Sequence, residues 1–354
     1  MTPLTKVEQP TLAAGDAIAR TMQFPRIRYM GSKYKLVPQL AAVFGEIGGT
    51  TAIDPFSGSG VVSYLMKSLG YNTVASDFLS FPTVIASATV ANRRSRLTPA
   101  DIERICGPAA DDRDFIASTF DGLYFERSDH EFLDSAWSHI DTMSGFKRNI
   151  ALSALVLAAA KKQPRGVFTF TDGRYNDGRR DLRLTLREHF VETAAAYNAV
   201  VFDNGTVCST IRSDVHELEP GIPDLVYLDP PYTPARDDNC YIKRYHFLEG
   251  LSVYWNGAEI MQETKTKKLA KRFTPFSYKR TVNDALSRMF EDFQHSTIVL
   301  SYSSNAVPDA DTIAGLMSEV KSNVEVREVP HRYHFGTHKK AKRRETTEYF
   351  FIGS

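Results

Sequence analysis

Residues 50–77 carry the feature that most restricts the fold of this 354-residue chain, two short apolar strands flanking a glycine turn and a helix. TTAIDPF predicts a strand, GSGVVSYLMKSLG an apolar-faced helix ending at Gly70, and YNTVASD the next strand. Strand, helix, strand at this spacing indicates a βαβ unit and a parallel sheet. Asp54 and Asp77 end the two strands, so both carboxylates are expected at the sheet edge where ligands bind.

The turn Ser57–Gly60 predicts a ligand site, because a Gly-x-Gly turn lets a ligand approach the backbone at a helix N-terminus. Asp77 lies where Rossmann-like sites place the acid that binds a ribose diol. The third glycine of the dinucleotide fingerprint is missing, since Val61, Val62 and Ser63 follow, which disfavours NAD and FAD. An adenosine-containing ligand is expected; the alternative is a tight turn with a helix-capping acid.

A second strand end combines a buried run, LVYL, with Asp229-Pro230-Pro231-Tyr232. Two prolines end a strand and hold an extended backbone whose carbonyls have no ladder partners. The result is a carboxylate, fixed carbonyls and an aromatic ring at the ligand-binding edge of the sheet. Taken alone, the segment fits an ordinary strand-ending turn equally well.

The α/β alternation is interrupted between about 95 and 200 and resumes after 205 with GTVCSTIRSD, PDLVYLDPPY and HSTIVLSYSS. We therefore predict one doubly wound α/β domain, built from 25–94 and 201–354 and split by a helical insertion at 95–200. Within that insertion, GVFTFTDGRYNDGRRDLRL is hairpin-like. Residues 1–24 are expected to form a flexible N-terminus.

Charge is unevenly distributed along a chain whose formal net charge is only +1. Residues 101–142 hold eleven acids and three bases, 263–280 hold seven bases and one acid, and 331–344 hold six bases and no acid. Such local basic patches are compatible with a nucleic-acid-binding face, or with a solvated lysine-rich surface.

The three cysteines, Cys106, Cys208 and Cys240, form no C-x-x-C pair, which argues against a zinc site and a disulfide framework. No apolar run approaches the roughly 18 residues of a membrane span, and no signal-peptide core begins the chain. We therefore expect a cytoplasmic protein without a metal or a membrane partner.

The chain resembles the Dam-like DNA adenine-N6 methyltransferases, the alpha group or D12 class, over most of residues 26–352. RYMGSK, DPFSGSG, the SD of 76–77, the SDV of 213–215 and LDPPY occur in the family's order. YHFLEGL at 245–251, VLSYSS at 299–304 and RRETTEYFFI at 343–352 are similar to later family segments. Two departures are GSK in place of the commoner GGK, and TPARDDNCYIKR in place of a shorter polar segment.

This resemblance implies a Rossmann-like S-adenosylmethionine-dependent methyltransferase fold with an inserted target-recognition domain. The expected reaction is transfer of a methyl group from S-adenosyl-L-methionine to N6 of an adenine flipped out of double-stranded DNA. The implied catalytic residues are Asp229, Pro230, Pro231 and Tyr232. The implied cofactor-binding residues are Tyr29, Lys33, Asp54, Phe56, Gly58, Gly60, Asp77, Asp214, Val215 and Asp229.

Double-stranded DNA is the implied partner, and lysine and arginine side chains supply contacts to its phosphates and to guanine edges. The candidate contacts in the insertion and near the C-terminus are Arg165, Arg174, Tyr175, Arg179, Arg180, Lys339, Lys340, Lys342, Arg343 and Arg344. Cytosine-N4 methylation, RNA methylation and a catalytically inactive DNA-binding subunit stay open as alternatives. The sequence gives neither the recognition site nor the presence of a cognate restriction endonuclease.

Overall fold

The computed structural model of the chain describes residues 4–6, 12–169, 178–219, 221–234, 240–332 and 345–354. The strands in these ranges are β1 Leu4–Lys6, β2 Thr51–Asp54, β3 Asn72–Asp77, β4 Ser209–Arg212, β5 Leu225–Leu228, β6 Thr233–Pro234, β7 Thr297–Ser303, β8 Ala306–Val307, β9 Val324–Arg332 and β10 Glu345–Gly353. The α-helices are α1 Leu12–Thr21, α2 Val37–Ile47, α3 Val61–Ser68, α4 Ser80–Ala86, α5 Pro99–Ile105, α6 Phe115–Thr119, α7 Arg127–Ile140, α8 Gly145–Lys162, α9 Arg180–Arg183, α10 Leu186–Ala199, α11 Tyr241–Val253, α12 Val282–Asp292 and α13 Ala310–Ser318.

One sheet organises the molecule, with the strand order β1-β9-β10-β7-β5-β2-β3-β4 among the described residues. Strands β7, β5, β2, β3 and β4 are parallel, and β10 runs antiparallel between β7 and β9. From β2 the chain moves outward to β3 and β4, then returns to β5 on the other side of β2. This reversal is a topological switch point, where a crevice opens at the carboxyl ends of the two central strands.

The central strands are apolar because helices cover both faces of the sheet. All four residues of β5 are buried, as are six of the seven residues of β7. Helices α3 and α4 pack beside β3, and α12 and α13 pack together in a second apolar cluster. The predicted doubly wound, mostly parallel α/β fold is confirmed.

The insertion is helical in its described part and shares one hydrophobic core with the α/β domain. Trp137 Nε1 donates a hydrogen bond to the carbonyl of Leu251 at 2.8 Å, which ties α7 to α11. The hydroxyl of Tyr254 donates to Asp134 at 2.6 Å and makes a second link. Of the segment 166–184 that was expected to be hairpin-like, residues 170–177 lie outside the described residues, and Arg180–Arg183 form helix α9 rather than a strand. The division at 95–200 stays a prediction.

Part of the N-terminal interval differs from the flexible segment expected over 1–24. Helix α1 packs against α2 and α3, and its Ala14 and Ala17 are buried. Phe24, just beyond it, is 3 % exposed and its ring lies 4.9 Å from that of Tyr64. Small alanine side chains let helix α1 approach the core closely. The mixed composition of residues 1–24 gives no sign of this packing.

Within the described ranges, no helix has both the length and the apolar character needed to cross a membrane.

Candidate active site

The turn after β2 needs glycine at Gly58 because of both its backbone and its neighbour. Gly58 has a φ of +48°, and a Cβ there would lie 2.9 Å from Cε1 of Tyr29. Gly60 has a φ of +83° and is the N-cap of α3, with its N–H donating to the Ser57 carbonyl at 2.7 Å. These positive φ angles favour glycine, so the loop can bring its backbone against a ligand.

Asp77 holds this turn in place from the end of β3. Its two carboxylate oxygens accept hydrogen bonds from the Gly58 and Leu79 N–H groups, each at 2.9 Å. Burial raises the pKa of Asp77 to about 7, although these backbone donors favour the ionised form. The predicted ribose acid therefore lies directly beside the glycine turn.

Asp54 is a second buried carboxylate in the same cleft. It accepts a hydrogen bond from the Ser63 hydroxyl at 2.6 Å and another from the Phe56 N–H at 3.2 Å. Burial raises the pKa of Asp54 to about 7, the Ser63 hydroxyl opposes this, and the nearby charge of Asp229 adds to it. The cleft thus concentrates negative charge, which suits a ligand that carries a cation.

Asp229 follows β5 and forms an ion pair with Lys33. The Lys33 ammonium lies 2.7 Å from each carboxylate oxygen of Asp229 and donates to the Gly31 carbonyl at 2.9 Å. Burial raises the pKa of Asp229 to about 6, Lys33 opposes the rise, and the charge of Glu348 adds to it. Asp229 is therefore ionised at neutral pH and able to accept hydrogen bonds.

Glu348 on β10 is a residue of this site that the sequence analysis did not identify. Its carboxylate is fully buried, lies 3.4 Å from Lys33 Nζ, and accepts a hydrogen bond from the Tyr232 hydroxyl. The Tyr232 ring also lies 4.8 Å from the ring of Tyr302 and 4.9 Å from the Lys33 ammonium. The sequence did contain a signal for Glu348: it is an acid within the apolar strand TEYFFI, and a carboxylate buried in such a strand needs a partner.

Two tyrosines of α11 extend the site beside Tyr29. The Tyr245 ring stacks on that of Tyr29 at 5.0 Å with an interplanar angle of 5°, and the Tyr241 ring lies 5.5 Å from it. The hydroxyl oxygen of Tyr245 accepts a hydrogen bond from the Met30 N–H at 2.7 Å. Residues 245–251 of α11 resemble a family segment, but no site role was predicted for these two rings from the sequence.

Helix α11 also reaches two other parts of the molecule. Glu249, which is buried, accepts hydrogen bonds from the first N–H groups of α4, that of Ser80 at 2.8 Å among them. His246 Nε2 lies 2.8 Å from the carbonyl oxygen of Phe168 in the insertion. One helix therefore contacts the Tyr29 turn, the helix after Asp77, and the insertion.

A single cleft at the carboxyl ends of β2, β3 and β5 gathers most of the predicted cofactor and catalytic positions. The predicted residues that line it are Tyr29, Lys33, Asp54, Phe56, Gly58, Asp77, Asp229 and Pro231. Gly60, Pro230 and Tyr232 adjoin these residues in sequence. Val215 belongs to the apolar cluster against which Phe56 packs, and Asp214 caps a short turn by accepting from the His216 N–H at 3.1 Å.

The predicted DNA contacts are described only in part. Arg180 is exposed and pairs with Glu192, and Arg179 lies beside it at the start of α9. Arg174, Tyr175 and the cluster Lys339, Lys340, Lys342, Arg343 and Arg344 lie outside the described residues, as does the side chain of Arg165. In the described part of the chain, no group of three or more His, Cys, Asp or Glu side chains is arranged to hold a metal.

Comparisons with known proteins agree with this geometry. The chain is 26 % identical over 346 residues to the type II methyltransferase M2.HphI of Haemophilus parahaemolyticus, covering 93 % of this chain and 98 % of the relative. It is 22 % identical over 314 residues to the modification methylase LlaI of Lactococcus lactis subsp. lactis, covering 82 % of this chain but only 48 % of that protein.

A family model matches residues 29–298, an interval that includes the RYMGSK turn, the glycine turn, Asp77 and the Asp229–Tyr232 motif. The family that this model describes consists of DNA methyltransferases, so the protein is an enzyme that requires a methyl donor and acts on DNA. The chain belongs to the D12 class N6 adenine-specific DNA methyltransferase family.

Proposed function

We propose that this enzyme transfers a methyl group from S-adenosyl-L-methionine to N6 of an adenine flipped out of double-stranded DNA. The observation that carries the proposal is the convergence of Asp229 and Pro231 with the glycine turn and Asp77 in one cleft. An acceptor-rich motif for an amine and a turn suited to a nucleoside therefore lie next to each other at the switch point.

The cleft fits this cofactor in four respects. Asp54 provides a carboxylate suited to the amino acid ammonium, and Asp77 provides one suited to the ribose diol. Phe56, which lines the cleft, offers an aromatic face suited to the adenine. The buried Ser57 hydroxyl has no hydrogen-bond partner in the described structure, so a ligand polar group can satisfy it. When bound, the cofactor supplies an electrophilic methyl group on a sulfonium.

Asp229 and the Pro230 carbonyl are proposed to activate the target amine. The lone pair of adenine N6 is delocalised into the ring, so the amine is a poor nucleophile. Two acceptors on its N–H groups orient the amine and favour a nitrogen whose lone pair is available for attack. With a pKa of about 6, Asp229 is ionised at neutral pH and is a strong acceptor. Rate enhancement then comes from positioning and preorganised charge.

Tyr232 is proposed to stack on the flipped base. Its hydroxyl is held by Glu348, and its ring contacts Lys33 and Tyr302. A ring fixed at these points loses little further entropy when a base stacks on it. Flipping itself costs a few kcal/mol in unstacking and unpairing, which such stacking helps to offset.

We further propose that the 95–200 insertion recognises a specific DNA sequence, with the basic residues of the insertion and of 339–344 contacting DNA. The names of the two relatives, a type II methyltransferase and a modification methylase, support a role in restriction–modification. A cognate endonuclease would then cleave the same sequence when it is unmethylated.

The test is expression in a bacterium that lacks adenine methylation, followed by single-molecule modification sequencing of its genome. We expect N6-methyladenine at one recurring motif, and none with Asp229→Ala. Cofactor binding by calorimetry should be largely retained in Asp229→Ala, because Asp54, Asp77 and the glycine turn remain in place. The exposed carboxylate variant Asp284→Ala, outside the insertion, should methylate like the wild type.

Other outcomes separate the alternatives. Near-normal turnover by Asp229→Ala would refute the mechanism. N4-methylcytosine at the motif would reassign the target base. A blank genome from folded, cofactor-binding protein would point to RNA, a required partner, or an inactive DNA-binding subunit.

A further inference from the structure

An exposed aromatic and basic surface lies beside the cleft, in a segment to which the proposed mechanism gives no role. We call it the Phe273 surface; it comprises Lys271, Arg272, Phe273, Tyr278, Lys279 and Arg280. Phe273 is 66 % exposed, and the four cationic residues are exposed as well. Arg272, Lys279 and Arg280 form no ion pair with any carboxylate in the described part of the chain.

The rings of Phe273 and Tyr278 on this surface are stacked on each other. Phe273 and Tyr278 lie 5.4 Å apart between centroids, with an interplanar angle of 12°. The Lys271 ammonium lies 5.1 Å from the centre of the Tyr278 ring. A flat aromatic face next to cations matches the chemistry of nucleic acids, which combine stacking bases with phosphates.

The segment between the two rings is anchored to the proposed active site. Phe276 is buried against Phe56, a residue that lines the cleft, and its carbonyl accepts a hydrogen bond from the Thr233 hydroxyl. Thr233 directly follows the Asp229–Tyr232 motif. The Arg272 guanidinium lies 5.4 Å from the ring of Phe78, which also lines the cleft. The Phe273 surface is therefore fixed at the rim of the cleft.

We propose that the Phe273 surface binds the substrate DNA close to the flipped adenine. Its cations contact phosphates, and the ring of Phe273 stacks on a base that flipping leaves unstacked. This inference rests on the proposed function, because it takes DNA as the substrate and the cleft as the site of the flipped base. The exposed cations and the exposed ring favour a polyanion with aromatic faces over a protein partner.

The experiment measures binding of the cofactor-loaded enzyme to duplex DNA by fluorescence anisotropy across a salt series; the duplex carries the motif found by sequencing or, where no motif is found, a mixed sequence. Lys279→Gln with Arg280→Gln should reduce the slope of log affinity against log salt by about 2, because each phosphate contact contributes roughly 0.9. Phe273→Ala should weaken binding about tenfold, and Phe273→Trp should restore it, since stacking on a base is worth on that order.

Matched controls distinguish an effect of the Phe273 surface from the effect of removing any exposed cation or any exposed apolar side chain. Arg20→Gln with Arg288→Gln removes two exposed cations outside the 95–200 insertion, and Ile222→Ala removes an exposed apolar side chain, 71 % accessible, that also lies outside it. Variants of the Phe273 surface that behave like these controls would overturn the inference. A Phe273→Ala variant that weakens cofactor affinity and leaves DNA affinity unchanged would overturn it too, since the segment would then cover the cofactor.

The same measurements distinguish failure of this inference from failure of the proposed function. If the wild type methylates adenine and the surface variants match the controls, only the Phe273 surface is refuted. If the wild type binds duplex with the expected losses in the variants but methylates no adenine, the surface stands and the proposed function fails. A wild type that binds no duplex overturns both.

Discussion

Replacing Glu348 with glutamine should extend activity to lower pH. The carboxylates of Glu348 and Asp229 lie against one ammonium, with Lys33 Nζ at 3.4 and 2.7 Å respectively. Glu348 is fully buried, so solvent screens its charge only weakly. In the proposed mechanism Asp229 must be ionised. Burial raises the pKa of Asp229 to about 6; the positive charge of Lys33 opposes this rise, and the negative charge of Glu348 adds to it.

The size of the effect follows from Coulomb's law. Two like charges about 6 Å apart at an effective dielectric constant of about 20 repel by about 3 kcal/mol, equivalent to about two pKa units. Rearrangement of Lys33 toward Asp229 and entry of water reduce this, so a shift of about 1 to 2 pH units is expected. Removing a negative neighbour lowers the pKa of Asp229, and the acid limb of kcat therefore moves to lower pH.

The assay is transfer of a labelled methyl group to duplex DNA at saturating substrates and constant ionic strength, from about pH 5 to 9. Lys33→Met removes the positive neighbour of Asp229, so its acid limb should move in the opposite direction, to higher pH. Tyr232→Phe removes a hydroxyl that bonds to Glu348 and also lowers the pKa of Asp229, so its limb should move slightly to higher pH, opposite to Glu348→Gln. An acid limb of Glu348→Gln that stays in place or moves upward would refute the reasoning.

Three further outcomes are expected. Burial raises the pKa of Asp54 from 3.8 to about 7, so this carboxyl lowers stability progressively from about pH 4, where it ionises in the unfolded chain, until about pH 7. Asp54→Asn should therefore raise the melting temperature at about pH 8 more than at about pH 5 in calorimetric scans. Gly58→Ala should cost about 1–3 kcal/mol in denaturant unfolding and weaken cofactor binding, since its φ is +48° and Tyr29 blocks a Cβ. Tyr245→Phe should cost about 1–3 kcal/mol and speed hydrogen exchange of the Met30 amide, which loses its acceptor; unchanged values would contradict each expectation.

The side of the cleft formed by Asp54, the glycine turn and Asp77 could be predicted, because each of these lies at or directly after the end of a strand. Asp54, the glycine turn and Asp77 lie within one βαβ unit, and parallel strands bring their carboxyl ends to the same edge. Asp229 could be placed beside them for the same reason. These predictions needed only periodicity and turn chemistry.

The pairing of Lys33 with Asp229 and of Tyr232 with Glu348 could not be predicted, because these partners meet through long-range topology. Lys33 and Asp229 are 196 positions apart, and Tyr232 and Glu348 are 116 apart. Glu348 reaches the site because β10 inserts antiparallel between β7 and β9, which no local pattern specifies. The packing of α1 was missed for a similar reason, since its burial depends on α2 and α3 rather than on its own sequence.

The shared core of the insertion and α11 bears on how such an enzyme can acquire a new target. Because Trp137 and Asp134 bond to α11 and its following turn, the insertion is not an interchangeable module. Transplanting the whole insertion from a relative would bring in one side of the packed interface without the matching residues of α11. Evolution of specificity in this chain should therefore proceed by substitution of surface side chains on a retained scaffold, and engineered chimeras should exchange α11 together with the insertion.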